Sequence, residues 1–537
     1  MKYPALILSA LWLAWPPALH AADSATAATK PNIILILADD LGAKELSCYG
    51  SQTHRTPNLD RLAAEGMRFE TFFANPLCTP TRVALMTGQY GFHNGFLGMQ
   101  DPAFKPASQS PQAHIGNHFT HADLLKSQGY ATALVGKWQL AGELPTLIHD
   151  AGFDEYRMWA YDNNLPPGVK HPVHEDGGQA CRYWQPSIVE NGQYQPTTPQ
   201  DYGPDLFNGF VIDFARRHKT EPFFVYYTSV LTHGPHLETP DPTKPGSRWP
   251  ATFKSNLEYL DHLLGQLLAA LQSEGLADNT LVIFIGDNGT GGDGKGTVTE
   301  LGARVPCIVR GPGVQRSVVS RAVADLTDIL PTLAEFSGAE LPADVPFDGH
   351  SLGPVLRGEK EKHRDWIYSH LDDGRILRDE RWLLEIAKGG KGERFYDCGG
   401  RRDGTGYQDV TNSTDADAKA ARARFAEILA SMPEPKPRDG TTPKSQQQVK
   451  ARREQKQKKK NAGAGGEPAP QTSAEDRAAR FGKRDQNQDG LLSREEFLDT
   501  LAGNDQVAGA ARFEKLDANQ DGSLTKDEFL GTGGQAR

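Results

Sequence analysis

Four near-continuously apolar runs, Asn32–Ala38, Ala131–Val135, Pro222–Val230 and Leu281–Ile285, constrain this chain more than any other feature. A strand that reads apolar without alternation must be covered on both faces. Between the runs lie segments of helical period with their own punctuation. Thr56-Pro57 opens one that stops at Gly66, Thr120 opens another that stops at Gly129, and an amphipathic stretch from Lys254 to Glu274 ends at Gly275. Strand and helix in alternation predict an α/β unit over residues 30–345, with a large, mostly parallel sheet flanked by helices.

The remainder divides by composition. Residues 346–432 read as a smaller α+β unit, with strand-like pieces at Trp366–Ser369 and Trp382–Ile386. Residues 433–472 contain PEPKPRDG and SQQQVKARREQKQKKK and offer almost nothing to bury, which predicts a disordered basic linker. Its Lys/Arg run reads as a solvated spacer before it reads as a glycan-binding tail. At the other end, residues 1–21 combine Lys2, an apolar stretch broken by Pro16 and Pro17, and small residues at Ala21-Ala22. That is the pattern of a secretory signal peptide, so the protein is expected to be exported, periplasmic or secreted. No later apolar run is long enough to span a bilayer, and no stable membrane span is expected. The 58 basic against 68 acidic residues give a net charge of −10, so no basic field exists to recruit nucleic acid. In an oxidising compartment Cys48, Cys181, Cys307 and Cys398 could pair in three ways.

The last unit, residues 473–537, contains an internal repeat: RFGKRDQNQDGLLSREEFL and RFEKLDANQDGSLTKDEFL recur at an offset of 32 residues. Each carries D-x-N-x-D-G-x-x-[ST]-x-x-E, a spacing that wraps six to eight oxygens around one Ca²⁺. Asp485, Asn487, Asp489, Ser493 and Glu496 form the first loop, with a backbone carbonyl from Leu491. Asp517, Asn519, Asp521, Thr525 and Glu528 form the second, with a carbonyl from Ser523. Leu492 and Leu524 sit where two such loops pair through a short strand contact. The unit resembles a paired, all-α EF-hand; dockerin-like modules use similar loops, but the glutamate at position twelve favours the EF-hand.

In the large domain, each strand-like run leads into reactive side chains. Asn32–Ala38 ends in Asp39-Asp40, Ala131–Val135 in Gly136-Lys137, Pro222–Val230 leads to His233, and Leu281–Ile285 to Asp287-Asn288 and then Lys295. Ligands of parallel α/β sheets bind outside the carboxyl ends of the strands, so these groups are expected on one rim. Asp39, Asp40, Asp287 and Asn288 offer hard oxygens suited to Ca²⁺ or Mg²⁺. Lysines beside a cation describe a pocket for a tetrahedral oxyanion. A lone Asp-Asp is more often a turn or cap, and a lone THGPH histidine a loop residue; it is the concurrence of four endings that argues for a site. Gly289 to Lys295 nearly spells a P-loop, but Gly296 stands where the magnesium-binding Ser/Thr belongs.

Leu77–Tyr90 reads LCTPTRVALMTGQY, and Thr79-Pro80 predicts a helix start with Cys78 just before it, where the dipole favours negative charge. Cys78-Thr79-Pro80-Thr81-Arg82 with Thr87-Gly88 resembles the C-x-P-x-R signature of the formylglycine-dependent sulfatases of the alkaline phosphatase superfamily. ILADDLG, GKW, THGP, FIGDNG, KGT and ARVP follow in the family's order, over about residues 30–430. The resemblance implies an alkaline-phosphatase-like sandwich, with the catalytic domain over 30–345 and its C-terminal subdomain over 346–432. It implies that a maturation enzyme oxidises Cys78 to formylglycine and that Asp39, Asp40, Asp287, Asn288 and residue 78 hold Ca²⁺. Arg82 would steady the modified residue, Lys137 and Lys295 would clamp sulfate oxygens, and His233 would protonate the leaving alcohol. The family's GKWHLG is GKWQLAG here, so Gln139 replaces a histidine, and Leu301 breaks the family's E-G-G stretch. Glutamine donates and accepts hydrogen bonds but cannot titrate, which leaves His236 as a stand-in base. The implied substrate is a sulfate monoester, with sulfated carbohydrate suggested by family and export. Phosphonate or phosphate ester hydrolysis, and binding of sulfated glycan with little turnover, remain as alternatives.

Overall fold

The computed structural model describes residues 30–99, 115–140, 146–160 and 182–433, isolated positions between 165 and 171, and parts of 489–526. The leader and the basic linker beyond residue 433 lie outside the described residues, as do Cys181, Asp485, Asn487, Asn519 and Glu528.

The strands of the large domain are β1 (Asn32–Ala38), β2 (Met67–Phe73), β3 (Ala131–Lys137), β4 (Glu155–Trp159), β5 (Ile188–Glu190), β6 (Gln193–Gln195), β7 (Phe223–Thr228), a short hairpin of β8 (Thr239–Pro240) and β9 (Arg248–Trp249), then β10 (Thr280–Gly286), β11 (Cys307–Arg310) and β12 (Val318–Asp325). Ten of them form one sheet in the order β12-β2-β11-β10-β1-β7-β3-β4-β5-β6. The parallel character predicted from the apolar runs is concentrated at its centre, β10-β1-β7-β3-β4. The flanks are antiparallel where β11 meets β10 and β2, and where β5 meets β4 and β6.

Every residue of β1 is buried, because helices cover both faces of the sheet. Ile33, Leu35 and Leu37 join the core under Val83, Leu124 and Ile329. Ile34, Ile36 and Ala38 face the opposite layer, with Leu59, Val211 and Leu263. Burial of each such aliphatic side chain contributes about 1.5–3 kcal/mol, which is why a run with no polar alternation settles in the middle of the sheet. The three predicted helices form at Pro57–Ala64, His121–Ser127 and Phe253–Ser273.

A second, antiparallel sheet follows: β13 (Ile367–Leu371), β14 (Gly374–Arg378), β15 (Trp382–Ile386), β16 (Glu393–Asp397) and β17 (Gln408–Asp409). The helix Ala416–Ser431 covers one face through Ala418, Ala421 and Phe425, against Leu377, Trp382 and Phe395. Ile367, Ile376 and Leu383 on the other face pack with Phe73 and Val323 of the large sheet. In the C-terminal repeat, β18 (Leu491–Ser493) and β19 (Ser523–Thr525) pair antiparallel with Leu492 opposite Leu524, and Phe497 and Phe513 close a small core over them.

Cys48, Cys78, Cys307 and Cys398 carry free thiols, so no disulfide joins the described cysteines. The reason is packing. Cys307, Cys48 and Cys398 lie in three separate hydrophobic clusters, each filling space as a small apolar side chain.

Candidate active site

Strand register brings the reactive residues to one level. Ala38 lies opposite Gly286, and Leu37 and Gly136 each lie opposite Thr228. The next residues, Asp39, Lys137 and Asp287, therefore leave the same carboxyl edge within a step of one another. Gly136 sits at φ +103, and a Cβ there would meet the Thr228 carbonyl oxygen at 2.1 Å, so only glycine lets β3 deliver Lys137 so close to β7. β2 runs parallel to β10, since both are antiparallel to β11, and it hands the chain to Cys78 at that same edge.

Cys78 is the first residue of the helix Cys78–Thr87, not the residue before it. Leu77 is the extended N-cap, and its carbonyl accepts the Thr81 N–H at 3.3 Å; Pro80 falls within the first turn, where no N–H is needed. The turn is secured from outside the helix as well. Thr81 Oγ1 bonds both the N–H and the carbonyl of Asn75, at 3.0 and 3.1 Å, and the His370 N–H donates to Asn75 Oδ1 at 3.0 Å. Gly296 N–H donates to the Pro76 carbonyl at 2.6 Å, tying the Lys295 loop to the approach to Cys78. Asn75 and His370 went unnoticed in the sequence because they act through contacts 295 residues apart.

Around the thiol stand three acids and three basic side chains, all but Lys295 fully or nearly fully buried. Lys137 Nζ donates to both oxygens of Asp39 at 2.8 and 2.7 Å. Arg82 donates to Asp287 Oδ2 at 3.0 Å and to the Lys137 carbonyl at 2.9 Å. Lys295 Nζ meets Asp40 at 2.7 Å. Asp287 Oδ1 accepts the Asp40 N–H at 2.9 Å, and Asn288 Nδ2 donates to Asp40 Oδ1 at 2.9 Å. Both lysines thus stand at the same edge, and each rests on a carboxylate.

Burial opposes ionisation of Asp39, yet Lys137, His233, Arg82 and Lys295 together hold it well below the usual carboxylate range. Burial, then the neighbouring Asp39, pushes Asp287 up to about 8 against the pull of Arg82 and Lys137. Burial also raises the Cys78 thiol, with Lys137 opposing and Asp287 and Asp39 adding to the rise.

His233 follows β7. Its Nδ1 lies 2.5 Å from the Gly234 carbonyl, and its Nε2 lies 2.8 Å from Lys295 Nζ. An ammonium only donates, so Nε2 is the acceptor and the ring is the neutral Nδ1–H tautomer. Burial draws the imidazole down to about 3, consistent with that neutrality. The Tyr183 hydroxyl donates to the His233 carbonyl and fixes the loop, a contact with no signal in the sequence. Gln139 occupies a left-handed conformation at φ 55, and its Oε1 is buried without a hydrogen-bond partner. His236 does not join the set: its Nε2 is engaged by the Thr232 carbonyl at 3.1 Å and its ring packs on Phe253. Leu301 is exposed, while its carbonyl lies against Gly289 and Gly294. Residues 291–296 form turns and lead only to the short helix Glu300–Ala303, so no P-loop helix follows them.

The site fits a hard divalent cation. Ligand atoms of Asp39, Asp40 and His233 lie within 4.8 Å of one another, and Asn288 Oδ1 is buried with no hydrogen-bond partner. An orphaned amide oxygen on a residue hydrogen-bonded to Asp40, with two crowded carboxylates, offers the hard oxygens that Ca²⁺ or Mg²⁺ takes.

In the EF-hand unit, Asp489 and Asp521 side chains accept the N–H groups of Leu491 and Ser523 at 2.8 and 2.9 Å, and Glu496 Oε2 accepts from the Ser493 hydroxyl at 2.8 Å. The Asp521 N–H donates to Asp517 Oδ1 at 3.2 Å. Thr525 closes β19 opposite Leu491.

Acids, basic side chains and a helix-start thiol thus gather at one edge of an α/β sheet. A family model described as Sulfatase matches residues 31–339, and one described as EF hand matches residues 510–530. N-acetylgalactosamine-6-sulfatase of Homo sapiens is 34% identical over 360 residues, covering 61% of this chain and 66% of that protein. Arylsulfatase A of Bos taurus is 34% identical over 390 residues, covering 67% and 74%. Among solved structures, Ps i-CgsB in complex with k-i-k-neocarrahexaose superimposes with TM-score 0.64 at 25% identity, over 79% of this chain and 98% of that one. The PsFucS1 sulfatase from Pseudoalteromonas sp. does so with TM-score 0.60 at 23% identity, over 74% and 90%. The chain belongs to the sulfatase family and is a hydrolase of sulfate esters, with an EF-hand at its C-terminal end.

Proposed function

We propose that this protein is an exported hydrolase that removes sulfate from carbohydrate monoesters, with formylglycine derived from Cys78 and a bound Ca²⁺ as its non-standard groups. The observation that carries the reading is the position of Cys78: it opens a buried helix turn among Asp39, Asp287, Lys137 and Lys295. The carbohydrate assignment draws on a relative named N-acetylgalactosamine-6-sulfatase and on a structural neighbour in complex with k-i-k-neocarrahexaose.

Formylglycine, installed by a maturation enzyme, supplies as its hydrate the oxygen nucleophile. Asp39, Asp40, Asp287 and Asn288, with residue 78, would hold Ca²⁺, which supplies Lewis acidity. The chain's own side chains do the rest. Arg82, anchored on Asp287 and on the Lys137 carbonyl, keeps the turn of residue 78 and the β3 end in register. Lys137 and Lys295 provide positive charge for the sulfate oxygens. Lys295 Nζ donates to His233 Nε2, and through that contact His233 would relay a proton to the departing alcohol. Gln139 offers a buried hydrogen-bond acceptor that does not titrate. The two EF-hand loops bind Ca²⁺ in this reading.

A mass spectrum of the peptide spanning residue 78 tests the central step, because formylglycine weighs less than cysteine. Cys78→Ala is expected to keep its melting temperature and lose turnover of an aryl sulfate. Retained turnover would refute covalent catalysis at this position. A higher kcat/KM for aryl phosphate than for aryl sulfate would instead reassign the ester class.

A further inference from the structure

Beyond His233 the chain builds a small charged platform that the reaction chemistry does not use. Consecutive residues Tyr183 and Trp184 clasp the loop from His233 to Glu238 at its two ends. The Tyr183 hydroxyl takes the His233 carbonyl, and Trp184 Nε1 donates to the Glu238 carbonyl at 2.8 Å. The indole packs against Tyr202, with ring centroids 4.8 Å apart. On it lies Arg248 of β9, its guanidinium carbon 3.8 Å from the ring centroid. The Arg248 side chain is 44% exposed, and its one polar partner among the described residues is Glu238 Oε2 at 3.4 Å. A guanidinium carries five N–H donors in a planar fork. A single long contact to Glu238 leaves other donors of that fork without a protein partner among the described residues, while the indole lies under its carbon.

Glu238 is five residues on from His233, a span of roughly 18 Å at most even when fully extended. The stacked arginine therefore stands within a few sugar rings of the proposed leaving-group side. A pre-organised guanidinium at that distance matches a carboxylate or sulfate in bidentate fashion and loses little side-chain entropy on binding.

We propose that Arg248, placed over the Trp184 ring, is an anion subsite for a second charged group on the glycan: a sulfate or carboxylate on a sugar near the ester under attack. The substrate class is then a multiply charged oligosaccharide in preference to an isolated sulfated sugar. The proposal rests on the carbohydrate reading above, and its test separates the two.

Full-length Cys78→Ala protein is titrated calorimetrically with four probes: a singly sulfated galactose, a disulfated carrageenan disaccharide, a sulfated chondroitin disaccharide with its uronate, and that disaccharide with the uronate methyl-esterified. The doubly charged probes are expected to bind about tenfold tighter than the singly charged ones, as a charge-assisted hydrogen-bonded pair provides. Arg248→Ala is expected to erase that advantage, and Arg248→Lys to restore it only in part. Loss on the uronate probe alone assigns a carboxylate, and loss on the disulfated probe alone assigns a sulfate. An advantage that survives Arg248→Ala, or no advantage in the parent protein, overturns the subsite. Turnover of 4-nitrophenyl sulfate by the matured parent enzyme reports separately on the sulfatase reading. Melting temperatures of the variants confirm that the half-exposed hairpin tolerates the changes.

Discussion

His121 is a buried histidine that no part of the chemistry uses. Its ring meets Phe153, Phe224 and Tyr226 edge-on, and neither ring nitrogen has a hydrogen-bond partner. Burial draws it down to about 3, so the folded protein keeps it neutral where the unfolded chain would protonate it. Between about pH 6.5 and pH 3 the unfolded state binds the extra proton, and stability falls as pH falls, by up to roughly 1.4 kcal/mol per pH unit. His121→Phe keeps the aromatic shape without the proton site. Its melting temperature is expected to decline less steeply than that of the parent between pH 6.5 and 4, and equal slopes would refute the assignment. The reactive set behaves differently at this scale. Asp39, Lys137, His233 and Asp287 were legible as residue types after apolar runs; the pairing of Lys137 with Asp39 and of Lys295 with His233 was not, because it depends on which strand ends are neighbours.

Elements here are specified by their ends as much as by their periods. Thr120 shows this for the helix His121–Ser127: its hydroxyl accepts the Ala122 and Asp123 N–H groups at 3.2 Å, and Asp123 Oδ2 accepts the Thr120 N–H at 3.0 Å. The same hydroxyl donates to the Ala151 carbonyl at 2.9 Å. Thr120→Ala is expected to cost about 1–2 kcal/mol, read as a lower urea midpoint with an unchanged slope. A change in slope would mean a wider loss of structure. Thr120 was readable as the opening of this helix; its reciprocal pairing with Asp123 shows only in the structure. The helix of Cys78 was less so. Its N-cap, Leu77, has no side chain able to cap, and the turn is secured by Asn75 and His370 from outside it. A motif locates such a turn but carries no record of what holds it.

On the scale of the molecule, the second sheet supports the site: the His370 N–H and the Ser369 hydroxyl of β13 reach Asn75 and Ala74, just ahead of Cys78. The C-terminal repeat makes a core of its own from Leu492, Phe497, Phe513 and Leu524. Removing the chain beyond about residue 435 is therefore expected to leave aryl sulfate hydrolysis within twofold and to abolish the Ca²⁺-dependent shift in melting temperature that the EF-hand loops would give. Loss of hydrolysis would place the repeat in the catalytic unit. By itself the sequence determined the alternation that makes an α/β sheet, the loop spacing of the paired repeat and the signature at Cys78, since each is local and is set by periodicity or by ligand geometry. Only the tertiary structure decided the antiparallel flanks, the free thiols, the tautomer of His233 and the platform of Arg248 on Trp184. Those follow from strand order and from contacts between distant segments, and a chain encodes them only through the whole packed core.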